Sequence, residues 1–319
     1  MVISVFRDQT VLAPPPQKNR NSTPVPKPRL QLIANPVAGR QAGPLIARAE
    51  RRLTQAGANV TLCLTSSRGD AERLAGSGGY DRIVVAGGDG TVNEVLNGLA
   101  PDSPPLAVLP LGTTNVLALE AGLPRDFDRA CDLALNGSPS PIHLGLASGR
   151  RFALMAGVGF DAAVVRDVDL TLKRRLGKGA YLLAAWRAWL ACRPEAVQVE
   201  EEDGQVRTGY GLIVAKSRSY GGSFTLTPQA SLFADHLETL LIRLPGRLTL
   251  LMAGLALLTG IPLGRPWGER FRSRWLLARG DGVPVQIDGD PAGLLPRSFT
   301  INSFPIRLML PPGRPGINR

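Results

Sequence analysis

The chain has 319 residues, 44% hydrophobic and 20% charged, which is ordinary for a water-soluble globular protein and enough for two domains with separate cores. Its net charge of +11 attracts nucleotides, nucleic acids or anionic lipid surfaces, but no helix-turn-helix pattern or aromatic-rich basic repeat selects nucleic acid, which is excluded as a partner. Three scattered cysteines in no C-x-x-C pair and only two histidines point to a reducing compartment and exclude a structural zinc or a His-based metal centre.

Residues 1–28 form a proline-rich polar leader expected to be disordered, without the apolar segment of a secretory signal. From there strands and helices alternate. RLQLIANP (29–36) reads as a strand ending in the turn Asn35–Gly39, residues 44–57 as an amphipathic helix closed by Gly57, and residues 59–65 as a second strand. A further helix starts in GDAERLA (69–75). Ile83–Ala86 is an apolar strand that stops at Gly87-Gly88-Asp89-Gly90, and Thr91 with Glu94 has the spacing of a capping box opening the next helix. A strand, a glycine turn and a helix start bring backbone amides and a helix dipole against a phosphate. The turn holds Asp89 and no lysine, so it is no Walker A loop; a carboxylate there suits a phosphate accompanied by Mg²⁺. PLAVLPLGTTN (105–115) repeats the design, followed by a short helix and stops at Gly122 and Pro124. This alternation predicts a doubly wound parallel sheet with its ligand at the carboxyl ends of the strands.

Near Pro141 the pattern changes to short β-type runs, with hairpin signals at Asp203-Gly204 and Asp281-Gly282. Two helical segments interrupt them, Ala180–Cys192 and Leu248–Thr259. The expected organisation is a leader at 1–28, a nucleotide-binding α/β domain at 29–140 and a mainly antiparallel β-sandwich at 141–319, with the active site in the cleft between them.

The string GGDGTVNE (87–94) resembles the nucleotide loop shared by diacylglycerol kinases, sphingosine kinases and NAD kinases. NPVAG (35–39), the GDAERLA stretch after Thr65, LPLGTTN (109–115), GVGFDA (157–162), YGGSFTLTP (220–228) and IDGD (287–290) follow in the order of the diacylglycerol kinase-like lipid kinases, so the likeness spans roughly 29–311. The resemblance implies an ATP-dependent kinase acting with Mg²⁺ on the hydroxyl of a diacylglycerol-like or sphingoid lipid. It implies nucleotide contacts at Asn35, Thr65, Gly87, Gly88, Asp89, Gly90, Thr91, Val92, Asn93 and Thr113, and a proton acceptor at Asp290. Asp89 is implied in metal binding, and Asp235 with the carbonyls of Leu232 and Leu237 in holding a structural Mg²⁺.

The chain departs from the family pattern at Val116, where many relatives carry Asp, at His236, where Gly is usual, and at Asp290, one methylene shorter than the usual Glu. A left-handed backbone at position 236 would strain His. Asp161, after a strand, is a candidate functional carboxylate or a strand-end cap. Two alternatives stand: a NAD kinase-like phosphotransferase, and a nucleotide-binding regulatory protein without catalysis. The expected location is cytoplasmic with peripheral contact at an anionic membrane; a homodimer is left open. The cluster Lys173–Lys178 beside Trp186 and Trp189 suits a headgroup boundary, and Leu248–Leu263, flanked by Arg243, Arg247 and Arg265, reads as a buried packing helix or the wall of an acyl pocket.

Overall fold

The computed structural model describes residues 27–39, 41–167, 187, 189–190, 194–220, 224–259, 261 and 263–312. The Lys173–Lys178 cluster, Trp186, most of the 180–192 segment and the leader up to residue 26 lie outside the described residues.

In the first lobe β1 (Arg29–Ala34) lies between β2 (Asn59–Leu64) and β3 (Arg82–Gly87), and β4 (Leu106–Pro110) follows β3, all parallel. Helices α1 (Ala42–Gln55), α2 (Asp70–Ala75), α3 (Asp89–Gly98), α4 (Val116–Glu120) and α5 (Phe127–Asn136) bury apolar faces on the two sides of this sheet. Helices α2 and α3 pack so closely that a Cβ on Gly98 would lie 2.0 Å from the Glu72 carbonyl oxygen. Helix α5 was not anticipated: its buried face is Ala130, Cys131 and Ala134, too small to give a strong apolar period, and Asp126 caps it by accepting the Arg129 amide.

The chain then runs through β5 (Ser138–Ile142), β6 (Gly145–Ala147), β7 (Arg150–Phe152), β8 (Met155–Val158), α6 (Phe160–Asp167), β9 (Val197–Glu201), β10 (Val206–Gly209) and β11 (Gly211–Ala215). A short pair, β12 (Ser219–Tyr220) and β13 (Phe224–Thr225), precedes β14 (Leu237–Ile242) and α7 (Arg247–Thr259). The remaining strands are β15 (Gly268–Ser273), β16 (Trp275–Arg279), β17 (Pro284–Ile287), β18 (Asp290–Leu294), β19 (Arg297–Ile301) and β20 (Ile306–Leu310). They form two antiparallel sheets, ordered β10-β9-β16-β19-β6-β7 and β15-β14-β11-β8-β17-β18, which sandwich Phe152, Val199, Leu212, Leu276 and Phe299.

Three expectations change. Strand β20, counted by sequence with the second lobe, returns to the first sheet between β4 and β5, parallel to the former and antiparallel to the latter. Asp203-Gly204 does turn a hairpin between β9 and β10, but Asp281-Gly282 carries the chain from one sandwich sheet to the other. Helix α7 is not a buried packing helix: Leu248, Leu251, Leu255 and Leu258 are exposed, because an almost uniformly apolar helix has no polar face to turn outward.

The lobes are joined through α3. Asp288, at φ +48° between β17 and β18, is half-buried with its carboxylate turned inward, where it accepts the amides of Ala153, Leu154 and Met155 at 2.9 Å and the Asn93 side chain of α3 at 2.7 Å. Burial pushes its carboxyl up to about 6, against four donors that favour the charged form. Arg151 holds the other end of α3, donating to the carbonyls of Leu96, Asn97 and Leu99 at 2.7–3.1 Å and lying 4.7 Å from the Phe304 ring centroid.

Replacing Asp288 by Asn keeps the shape and tolerates the left-handed backbone, yet sets an amide against two N–H donors. Loss of those acceptors should cost about 2–4 kcal/mol in denaturant unfolding. Unchanged stability would show that the carboxylate does not join the lobes.

Candidate active site

Three turns meet at the carboxyl edge of the parallel sheet. Asn35, after β1, bonds Thr91 of α3 through its side-chain amide at 3.1 Å and accepts the Val37 amide at 3.0 Å. A Cβ on Gly39 would lie 2.8 Å from the Leu111 carbonyl oxygen, and one on Gly112 would lie 2.7 Å from the Gly88 Cα. The glycines therefore let the turns after β1, β3 and β4 press backbone on backbone. Gly88 itself has extended dihedrals that any residue adopts, so contact with Gly112 sets its need for glycine. Gly90 differs: a Cβ there would meet open space, as a surface that receives a ligand requires.

Thr91 and Glu94 do not form a capping box. Helix α3 begins at Asp89 with Gly88 as its N-cap, three residues earlier than that motif needs, and no side chain caps it. The Thr91 hydroxyl accepts from Asn35, and Glu94 accepts the Ala71 amide of α2 at 3.3 Å. The first-turn amides of α3 are thus left without a side-chain acceptor beside the open space at Gly90.

Asp89 faces inward, accepting the Leu117 amide at the start of α4 at 3.4 Å, and burial raises its pKa. Gly87, Val92 and Asn93 are also buried, Gly87 because a Cβ there would strike Thr91 at 2.6 Å. The Asn93 side-chain nitrogen is spent on Asp288, while its side-chain oxygen Oδ1 accepts from Arg150 at 3.2 Å. Thr65, half-buried after β2, and Thr113, exposed in the β4–α4 turn, remain at the rim. Asn115 closes that turn at φ +49°, and Val116 is buried behind it.

Between the lobes lies a cavity of about 390 Å³ lined by Arg68, Glu72, Glu94, Arg150, Asp290 and Arg297, among others. Glu94 sits one turn along α3 from Gly90, roughly 6 Å in rise, so the cavity adjoins the glycine turn. Asp290, opening β18, reaches across it to Arg68 at 2.8 Å, both side chains being substantially exposed. Asp290 is held in place through its neighbour but one, Asp288. That hub escaped the sequence, where Asp288-Gly289 is simply a favourable turn pair, and so did Arg150 and Arg151; only their long-range partners reveal them.

Asp161 is half-buried, accepting from the Tyr220 hydroxyl and from Gln286 at 2.7 Å, and burial of its carboxyl raises its pKa. A Cβ on Gly157 would collide with it, which accounts for the glycine in GVGFDA. It sits on the face of the β8–β17 sheet turned away from the sandwich core and does not line the cavity. Leu232, Asp235 and Leu237 lie in a separate loop before and into β14. Among the described residues no cluster of three or more His, Cys, Asp or Glu side chains is arranged to hold a metal.

Residues 29–147 match the diacylglycerol kinase catalytic domain, and residues 155–310 match the YegS C-terminal NAD kinase beta sandwich-like domain. A diacylglycerol kinase of Bacillus subtilis is 32% identical over 301 residues, covering 89% of this chain and 96% of that protein. A probable lipid kinase YegS-like protein of Pseudomonas aeruginosa PAO1 is 32% identical over 87% of this chain and 93% of its own length. A crystal structure of a diacylglycerol kinase from Bacillus anthracis superposes with a TM-score of 0.73 at 23% identity, covering 89% of this chain and 97% of that one. An NAD kinase from Archaeoglobus fulgidus in complex with ATP shares the fold more distantly, with a TM-score of 0.52, 16% identity and 88% and 93% coverage. The chain belongs to the diacylglycerol kinase and YegS-like family of lipid kinases.

Proposed function

We propose that this protein transfers the γ-phosphoryl group of ATP to the hydroxyl of a diacylglycerol-like or sphingoid lipid. The observation that carries this reading is the position of Asp290: it opens into the interlobe cavity that also receives Glu94, one turn from the glycine turn. The first lobe takes the nucleotide, its phosphates on the α3 amides beside Gly90, with Asn35, Thr65 and Thr113 at the rim. The second lobe presents the acceptor. Mg²⁺ enters with ATP as part of the substrate and neutralises phosphate charge.

The protein's own groups do the rest. Arg68, Arg150 and Arg297 balance Glu72, Glu94 and Asp290 around the cavity and offer guanidinium donors to phosphate. Arg68 exchanges Asp290 for phosphate oxygens as the nucleotide binds, which frees the carboxylate when a phosphoryl group is in place to be attacked. Asp290 then takes the proton of the acceptor hydroxyl while its oxygen bonds to phosphorus and the bond to the departing ADP oxygen breaks.

The exposed leucines of α7, flanked by Arg243, Arg247 and Arg265, supply the contact with an anionic membrane from which such an acceptor comes. Among the described residues no helix is long and apolar enough to cross a bilayer, which fits surface contact. Trp189 anchors the start of α7, donating to the Arg247 carbonyl at 3.1 Å.

Labelled γ-phosphate should pass from ATP to a lipid in a panel of neutral lipids, sphingoid bases and NAD. Transfer to NAD alone would favour the NAD kinase-like alternative, and retained ATP binding with no transfer the regulatory one. Asp290→Asn should lower turnover by roughly 10²–10⁴-fold with ATP affinity little changed, and Asp290→Glu should keep substantial activity. An Asp290→Asn protein as active as the parent would place the base elsewhere. Vesicle co-sedimentation should rise with anionic lipid, drop with salt, and be cut by Leu251→Glu or Leu255→Glu. Binding indifferent to these two changes would remove α7 from the membrane contact.

A further inference from the structure

The loop leading into β14 is where the family resemblance implies a structural Mg²⁺, on Asp235 and the carbonyls of Leu232 and Leu237. Mg²⁺ requires oxygen ligands in near-octahedral array and does not share them with fixed cations. Two of these three ligands, the Leu232 carbonyl and the Asp235 carboxylate, are otherwise engaged, and an amine occupies the carbonyls between them. Lys216, directly after β11 and fully buried, donates its ammonium to the carbonyls of Ala234 and His236, the latter at 3.0 Å, on either side of Asp235. The Leu232 carbonyl accepts the His143 amide at 2.7 Å. The Asp235 carboxylate points the other way, exposed and ion-paired with Arg274. The Lys216 ammonium, although burial lowers its pKa to about 7, and the Arg274 guanidinium thus lie against the loop from inside and outside, and the residues present do not fit a divalent ion.

We propose that Lys216 is the resident cation of this loop, its ammonium doing by hydrogen bonds the tethering that a divalent ion would do by coordination. The replacement of glycine by His236 agrees with this. Among the described residues the non-glycine positions with positive φ are Asn115, Ser148 and Asp288, so His236 sits without strain in a loop shaped to an ammonium. A fully buried lysine survives only where carbonyl oxygens receive its charge, and the loop supplies two.

The tether has a mechanical consequence. Leu232 is buried in the core of the first lobe with Phe233 packed beside it, so the loop is a plug from the second lobe into the first. The Lys216 amide donates to the Leu154 carbonyl at 2.8 Å, and the Leu154 amide donates to Asp288. One residue therefore holds the plug and adjoins the carboxylate that joins the lobes. Lys216 is a positioning residue, remote from the reacting atoms.

Calorimetry of the full chain without nucleotide tests this apart from kinase activity. The transition of the parent protein should be the same in EDTA and in millimolar Mg²⁺, and Asp235→Asn should not change that. Lys216→Met, which keeps the stem and removes the ammonium, should lower the transition by roughly 3–8 °C, and Lys216→Arg should recover part of the loss. A parent transition that rises with Mg²⁺, with the rise abolished in Asp235→Asn, would overturn the proposal. So would a Lys216→Met protein as stable as the parent.

Discussion

The bond between Asn93 and Asp288 fixes the relation of the two lobes, and the candidate site depends on that relation. Helix α3 carries the glycine turn at its start and Asn93 one turn further in; the second lobe carries Asp288 and, two residues later, Asp290. This 2.7 Å contact is therefore among those that set how far the proposed base stands from the proposed phosphate cradle. It is exacting as well as short. A buried carboxylate is tolerable only with its acceptor sites filled, and the donors come from both lobes, so the charge is satisfied only when the lobes have closed correctly. Arg151 adds a second grip at the far end of α3, which leaves the helix little freedom to rotate the turn.

The local half of the fold was legible in the sequence. Strand β3, the turn after it, α1 closed by Gly57 and the βα alternation follow from apolar runs and glycines, whose causes lie within a few residues. What depended on distant partners was not legible. Nothing in IRLML tells β20 to return to the first sheet, and nothing in Asp281-Gly282 distinguishes a hairpin from a crossing between sheets. The spacing of Thr91 and Glu94 satisfied a local rule, but Asn35 and Ala71 claimed those side chains. Composition leaves the leucines of α7 open between a buried packing helix and the wall of an acyl pocket, because it does not say which surface a uniformly apolar helix meets.

The same division runs through the candidate site. Glycines 87, 88 and 90 stand together in one motif, yet the structure separates them: Thr91 packing holds 87, contact with Gly112 holds 88, and 90 faces open space. Asp290 was singled out by motif, while Asp288 beside it, which holds the hub, is inseparable in sequence from an ordinary Asp-Gly turn. Lys216 carried no sequence signal at all. Its burial beneath the 232–237 loop is decided by two carbonyls about twenty residues away.

If Asn93 matters because it places Asp290, the two residues must be coupled in turnover. The direct measurement is a double-mutant cycle on lipid-phosphorylation kcat with Asn93→Ala and Asp290→Asn, at saturating ATP and on protein confirmed folded. The account predicts strong non-additivity, on the order of 1–3 kcal/mol, with Asn93→Ala costing little once the carboxylate is gone. Independent losses that multiply in full would contradict it.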